Sequence, residues 1–481
     1  MQIIIIVLYF ALTVAIGVYS SKKSKTSDSF HGAAMGIFAI VAASAGEWLG
    51  GTATTGVSEY GFDYGLSGAW YTISNGIGVM FLALCFAKLY RSLNSVTVPG
   101  IIEKFFGVKA RSVSSILLTI VMLAVGLSQM IAAGKLGQSL MGFDFTATVV
   151  VFAVIFIVYT LAGGMNAVAS TNKMHLFVMY GGVILAIIFA MSKISDFGGL
   201  FSGIKSVQAA ESSKSYFNMF SIGGTKVSSW IIASLLGACT AQAGIQPVLA
   251  AKDVSTARKA CIITAFVAAP FGLFTALLGM IAKVMSHNGV LLDTAGNNVT
   301  SGKLALPTLM MSLHPVIGGL VLASILAAIL STVSPIILSS GTMVTKDLYQ
   351  RVFRPKATDA EVLKMSRITT ALAGVVCALG AIALVNQSKV LDIVYAAYSL
   401  RGALFIVVLL GIYWKRASEK GACWSMVLTG AVAVGWVVIK MKTGTFPIAS
   451  WLTETYAAVV VAFVATIVFS YVFPKKALKA S

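Results

Sequence analysis

The stretch ASAGEWLGG at Ala43–Gly51, together with GACTAQAG at Gly237–Gly244, decides the fold. Both lie inside long apolar runs, yet their clustered glycines and polar side chains oppose continuous helix. The first falls in an apolar span over 33–57, the second in one over 227–251. Each span opens a block of five, spans 2–6 and 7–11, and because five is odd the blocks run in opposite directions through a bilayer. Broken helices at matching positions of two inverted halves predict a solute site at the bilayer midplane. The competing explanation is that the glycines only permit close helix packing.

Composition agrees with a membrane chain. Hydrophobic residues make up 58% and charged residues 11%, with a mean hydropathy of +0.91. Apolar runs of roughly 20 residues recur from end to end, so the spans are helices, not barrel strands. The expected fold is an all-α membrane protein of about thirteen transmembrane helices in one domain over 1–481. An extra N-terminal helix covers 1–20, the first repeat 33–195, the inverted second repeat 227–413, and two C-terminal helices 421–473. Ile3–Tyr19 has no preceding positive residue and is followed by Lys22, Lys23 and Lys25, which predicts a first span, not a cleavable signal.

The net charge of +19 is a topology signal. Of 35 Lys and Arg, 24 fall at or beyond the ends of alternate spans on one face and nine on the other, leaving Lys135 and Arg401. The positive-inside rule then places the N-terminus outside and the C-terminus in the cytoplasm of a multi-pass plasma-membrane protein. Nothing in this distribution calls for nucleic acid, and no obligatory protein partner is evident. The expected partners are the lipid bilayer and a small-molecule solute. Cys85, Cys239, Cys261, Cys377 and Cys423 lack metal or redox spacing, and His31, His175, His287 and His314 are scattered. With no paired acids, nucleophile or metal cluster, an enzyme is the least expected class.

Span 9, over 316–344, carries hydroxyls that lipid would exclude: Ser331, Thr332, Ser334, Ser339, Ser340 and Thr342. At about 100° per residue, Ala328, Ser331 and Thr332 share one helix face. A carbonyl and two hydroxyls there form a hard, all-oxygen set suited to a dehydrated monovalent cation. The alternative is that the hydroxyls only bind helices together.

Four segments then carry a resemblance over nearly the whole chain: YTLAGGMNAV from Tyr159, QPVLAAKD from Gln246, the stretch Ser331–Tyr349, and GIYWKR from Gly411. The chain resembles the sodium:solute symporter family, which is similar to the inverted five-plus-five fold of the bacterial leucine transporter. The resemblance implies a sodium ion held by Ala328, Ser331 and Thr332 of span 9 and by the carbonyls of Gly46 and Leu49 at the break of span 2. Two departures stand out. Many members have Thr-Asp-x-x-Gln where this chain reads Thr171-Asn172-Lys173-Met174-His175, and Pro335 follows Ser334 where some members place a further serine. The resemblance therefore implies coupling to one sodium ion.

Among the sixteen acidic residues only Glu47 sits mid-span, where a charge costs about 2.5–3.5 kcal/mol on insertion scales. Beside it, Trp48 matches a position resembling the ammonium contact of choline transporters. Asn75, Ser128 and Ala241 replace the rest of that aromatic cage, so choline itself does not follow. A carboxylate and an indole suit an amine or ammonium. Arg401 lies 13 residues before Trp414, about 20 Å into the membrane. It could snorkel to the outer headgroups, pair with Glu47, or meet a solute carboxylate. Lys135 reads as a snorkelling residue. Thr240 and Gln242 in the second break, then Asn75 and Gln129, complete the candidate solute ligands. The expected function is sodium-coupled import of a small polar organic solute, amine-bearing or zwitterionic, by alternating access. The alternatives are an anionic carboxylate solute or, from another class, a channel or membrane sensor keeping the fold.

Overall fold

The computed structural model describes residues 2–21, 26–211, 215–293, 296–385 and 390–475. Lys22, Lys23 and Lys25 lie outside the described residues. The described chain is helical throughout, without a β-sheet; its two isolated bridges join Met35 to Ala251 and Leu292 to Asn298.

The N-terminal helix α1 (Gln2–Ser21) precedes the helices of the expected first repeat, α2 (Ile37–Trp48), α3 (Val57–Tyr64), α4 (Trp70–Phe81), α5 (Val108–Met141) and α6 (Phe145–Met191). The stretch expected as the second repeat holds α7 (Gly224–Gly237), α8 (Gln242–Leu249), α9 (Val254–Ala268), α10 (Phe271–His287), α11 (Pro315–Thr342), α12 (Asp359–Leu384) and α13 (Val390–Tyr413). Helices α14 (Glu419–Thr443) and α15 (Glu454–Val472) follow. Nine described helical stretches are long and apolar enough to cross a membrane, or ten with the bent α7–α8 pair taken as one. Expected spans 1, 2 and 5 correspond to shorter apolar helices, Ile4–Ser20, Ile37–Trp48 and Phe145–Val158.

Both breaks fall where the glycine clusters predict them. Helix α2 stops at Trp48, Leu49 leaves helical geometry at φ −108° and ψ 24°, and a π-helical turn at Thr52–Gly56 leads into α3. Gly50 and Gly51 are required by packing. A Cβ at Gly50 would collide with Thr332 Oγ1, and one at Gly51 would lie 2.8 Å from both Ala132 and Ile329. In the expected second repeat, α7 tightens to a 3-10 turn at Ala238–Thr240. Ala241 then opens to ψ 87°, and α8 departs at 42°.

The Gly-Gly pair of YTLAGGMNAV does not end a helix: α6 continues through residues 164–173 with a single kink at Gly164. The kink residue has φ +56° and ψ −148°, which glycine alone adopts freely, and its Cα lies so close to Phe30 that a Cβ would meet the Phe30 carbonyl at 2.5 Å.

Helix α11 forms the axis of the protein. Every residue from Val321 to Thr342 is buried, so its hydroxyls face other helices and never lipid. It packs on α2, α5, α6, α12 and the N-terminal α1, which places the first break against the middle of α11. By contrast α12, α14 and α15 leave large apolar side chains exposed, among them Leu372, Leu379, Val434 and Phe463, as a lipid-facing rim would.

Candidate functional site

The expected cation ligands converge where the end of α2 meets α11. Thr332 donates its hydroxyl in a short hydrogen bond to the Gly46 carbonyl and at 3.2 Å to the Ala328 carbonyl. Ser331 donates to the Ala328 carbonyl at 2.8 Å. Leu49 directly precedes Gly50, whose Cα abuts the Thr332 hydroxyl. Gly46, Ala328, Ser331 and Thr332 thus bring their oxygens together across two helices, with the Leu49 backbone one residue from the same contact. The set is all oxygen and uncharged, which fits a monovalent cation losing its water shell. The Gly46 carbonyl is available because the helix ends at Trp48 and leaves its last carbonyls without intrahelical donors.

Asn172 enters this neighbourhood from α6. Its Nδ2 donates to the Ser331 carbonyl at 3.0 Å, while its Oδ1 is buried without a protein partner. The sequence marks Asn172 as a departure from a motif, and the fold sets that neutral amide against the expected cation ligand Ser331. Ser334, before Pro335, has a buried hydroxyl without a protein partner.

The charged residues meet on the other side of the first break. Glu47 and Arg401, 354 residues apart, form an ion pair of 3.1 Å with both side chains 0% exposed. Of the three settings weighed for Arg401, the internal pair is the one present, and the guanidinium does not reach the headgroups. Instead it lies 3.8 Å from the centre of the Tyr398 ring and 5.3 Å from that of Trp48. Thr240, in the second break, donates to the Arg401 carbonyl at 2.6 Å and so fixes α13 against it. The pair is incompletely used. Glu47 Oε2 accepts no protein donor, and Arg401 Nε and Nη2 have no protein acceptor. That free edge of the guanidinium faces Gly237, where a Cβ would stand 3.1 Å from Nε. Trp48 packs on Gly244, and its indole N–H is also buried without an acceptor. The two breaks therefore frame one buried polar cluster: Glu47 and Trp48 from the first, Gly237, Thr240 and Gly244 from the second, with Arg401 between.

The remaining candidates divide. Asn75 is fully buried with neither side-chain atom partnered in the protein. Gln129 donates to Thr52 Oγ1 at 2.5 Å, and its Oε1 points to Gly50 and Gly51, nearer the cation ligands than the ion pair. Gln242 is committed to backbone: its Oε1 accepts from the Val98 N–H at 2.7 Å and its Nε2 donates to the Val96 carbonyl at 3.2 Å. Lys135 is partly buried, 5.3 Å from the Phe145 ring centre, and donates to Gln138 at 3.3 Å.

The sequence reading passed over an aromatic group beside the pair. Tyr71 and Tyr398 share hydroxyls at 3.2 Å, Ser74 meets Tyr395 at 3.1 Å, and Trp230 stacks on Tyr395 at 4.3 Å. The signal was available, since Tyr395, Tyr398 and Arg401 recur every third residue along one helix face.

Polar locks join the expected repeats at both ends of this core. On the lysine- and arginine-rich face, Arg111 bridges Glu103 at 2.5 Å and Asp347 at 2.6 Å, Arg351 also binds Glu103, and Thr97 donates to Asp347 at 2.7 Å. Partial burial pushes the Glu103 carboxyl up, but the bonds from Arg351 and Arg111 outweigh it and hold the group below its usual range. On the opposite face Lys226 meets Asp392 at 3.2 Å and Tyr60 at 2.6 Å, and Tyr60 donates to Asp392 at 2.8 Å.

Comparison with known proteins accords with this arrangement. A family model described as "Sodium:solute symporter family" matches residues 30–430. The osmoregulated proline transporter OpuE of Bacillus subtilis is 27% identical over 458 residues, covering 92% of this chain and 90% of its own. The sodium/glucose cotransporter of Vibrio parahaemolyticus is 26% identical, covering 88% of this chain and 82% of its own. A solved structure of a Na+-coupled sialic acid symporter, in a substrate-bound outward-open state, superposes with a TM-score of 0.80 at 20% identity over 99% of both chains, which establishes the shared fold.

Proposed function

The chain belongs to the sodium:solute symporter family, a family of transporters and not of enzymes, and we propose that it draws a small zwitterionic solute into the cell with one sodium ion by alternating access. The observation that carries the solute class is the half-used Glu47–Arg401 pair between the two breaks. Its free carboxylate oxygen is complementary to a solute ammonium, and the free guanidinium edge is complementary to a solute carboxylate. Because the pair is neutral as a whole, a neutral zwitterion enters without leaving an uncompensated charge in the membrane. Trp48 and Tyr398 add aromatic faces for the cationic end. Proline, named for the Bacillus relative, is itself a zwitterion.

A second reading has its own support. Unpartnered donors on Arg401 and Trp48 outnumber the acceptor on Glu47, while Asn75 offers one of each, which favours a monocarboxylate. Thermal-shift or scintillation binding of amino acids, betaines, polyamines and carboxylates, each with and without sodium, separates the two. Sodium-dependent binding of a zwitterion, with no response to the matching simple amine or simple acid, is the outcome expected. Binding of simple carboxylates alone would replace it by the second reading.

Sodium would be held by the carbonyls of Gly46, Leu49 and Ala328 and by the hydroxyls of Ser331 and Thr332. It would take the place of the hydroxyl-to-carbonyl bonds that now join α2 to α11, coupling the first break to the helix axis. The two polar locks, one at each face, supply barriers that alternate access requires in turn. Charge distribution supports assigning the lysine- and arginine-rich face to the cytoplasm.

Asn172 supports a stoichiometry of one. A second monovalent cation near α6 would lack a carboxylate, and the amide already directs a donor at the Ser331 carbonyl. Reversal potentials in proteoliposomes are expected to fit one sodium ion per solute; a ratio of two would refute the assignment.

A further inference from the structure

Away from the Glu47–Arg401 pair, a crevice of about 540 Å³ opens between α5, α12, α13, α14 and α15, within the range of ligand-binding cavities. Leu400 and Ala433, both buried, and the half-exposed Ile120 line its apolar part, and Asp392, Lys440 and Glu454 its polar end. Along α14 the lining runs from Ala433 to Gly444, roughly 16 Å at 1.5 Å per residue. That is about the depth of one leaflet of a hydrocarbon core some 30 Å thick. The crevice thus has the length of an acyl chain lying parallel to the helices, and its polar end sits where a headgroup would.

The polar end defines that headgroup. Asp392 is engaged by Lys226 and Tyr60 in the polar lock. Facing a ligand are the Lys440 ammonium, which lies 4.5 Å from the Phe446 ring centre and also feels the Asp392 carboxylate, and Glu454 Oε2, which is buried without a protein partner. One cation and one carboxylate oxygen complement a headgroup that carries a phosphate followed by a hydrogen-bond-donating ammonium. A trimethylated headgroup offers no N–H to Glu454, and a glycerol headgroup offers no cation.

We propose that this crevice is a specific site for one phosphatidylethanolamine molecule, with an acyl chain against α13 and α14, its phosphate at Lys440 and its ammonium at Glu454. Because Asp392 belongs both to the polar end and to the lock with Lys226, the lipid would sit directly against one of the two barriers of the transporter.

The test is native mass spectrometry of the purified full chain after delipidation and exposure to equal amounts of phosphatidylethanolamine, phosphatidylcholine and phosphatidylglycerol. Wild-type protein is expected to retain one phosphatidylethanolamine in clear preference to the others. Glu454→Gln is expected to reduce the preference over phosphatidylcholine by about tenfold, the loss of one charge-assisted hydrogen bond. Ala433→Phe, which fills the apolar part of the crevice, is expected to lose the retained lipid altogether. Should that variant not fold, the isosteric change Glu454→Gln still decides the matter. Equal retention of the three lipids by the wild type, preference for phosphatidylglycerol, or an unchanged ratio in Glu454→Gln would overturn the proposal.

Discussion

Arg401→Gln should abolish solute binding and also lower the stability of the protein, whereas Glu47→Gln combined with Arg401→Gln should recover stability without recovering binding. Both side chains of the pair are 0% exposed, so removing one partner strands the other charge in a medium that cannot solvate it. Breaking a buried pair in this way costs about 3–5 kcal/mol, while removing both partners is often close to neutral. Stability alone therefore cannot distinguish a structural pair from a recognition pair, but the double variant can. If the pair only ties α2 to α13, the double variant transports. If it receives a zwitterion, the double variant folds, binds sodium and fails to bind solute. Glu47→Gln alone should likewise damage solute affinity far more than sodium affinity, because the proposed cation ligands are carbonyls and hydroxyls on the other side of the break. Trp48→Ala should follow the same pattern, since the indole offers a face and an N–H to the solute and nothing to sodium. Thermal melts in detergent, with solute titrations at saturating sodium and sodium titrations without solute, give all the quantities. Wild-type solute affinity in the double variant would remove the pair from the binding site.

These residues also mark how far the sequence could be read. Glycine clusters inside apolar runs announce broken helices because a membrane helix otherwise pairs its backbone groups internally, and both breaks lie where ASAGEWLGG and GACTAQAG put them. The shared face of Ala328, Ser331 and Thr332 follows from helical periodicity alone. What periodicity cannot supply is the partner across the bundle. From the sequence Glu47 and Trp48 suit an amine, and a pair between Glu47 and Arg401 is only one of three settings for the arginine. In the fold a guanidinium 354 residues away meets both. Gln242 illustrates the same limit, since an amide in a helix break has equal reason to face a solute or a neighbouring backbone, and its contacts with Val96 and Val98 are set by tertiary packing. The continuous helix over residues 165–173 was hidden for a different reason. A Gly-Gly pair followed by polar residues reads as a loop, but only Gly164 is non-helical, and the residues after it are helical and partly buried against neighbouring helices.

Ser331→Ala and Thr332→Ala should each weaken sodium activation by about tenfold to a hundredfold, the scale of one lost bond to a charged partner, with little loss of fold. The two differ in a way that tests the geometry. Ser331 donates only within its own helix and to the sulfur of Met179, so its removal takes away an oxygen ligand and little else. Thr332 also bonds the Gly46 carbonyl across the break, so its removal should additionally loosen α2 against α11 in sodium-free protein. Sodium should then rescue the stability of Thr332→Ala less fully than that of Ser331→Ala. Gly50→Ala supplies the steric counterpart: its methyl would collide with Thr332 Oγ1 and crowd Gln129 Oε1, shifting the hydroxyl off the carbonyl set while leaving every ligand in the sequence. Loss of sodium activation in Gly50→Ala, with Ser331 and Thr332 intact, would tie the cation to the place where α2 ends and not to hydroxyl content alone. Sodium dependence of uptake unchanged in all three variants would show that the ion binds elsewhere.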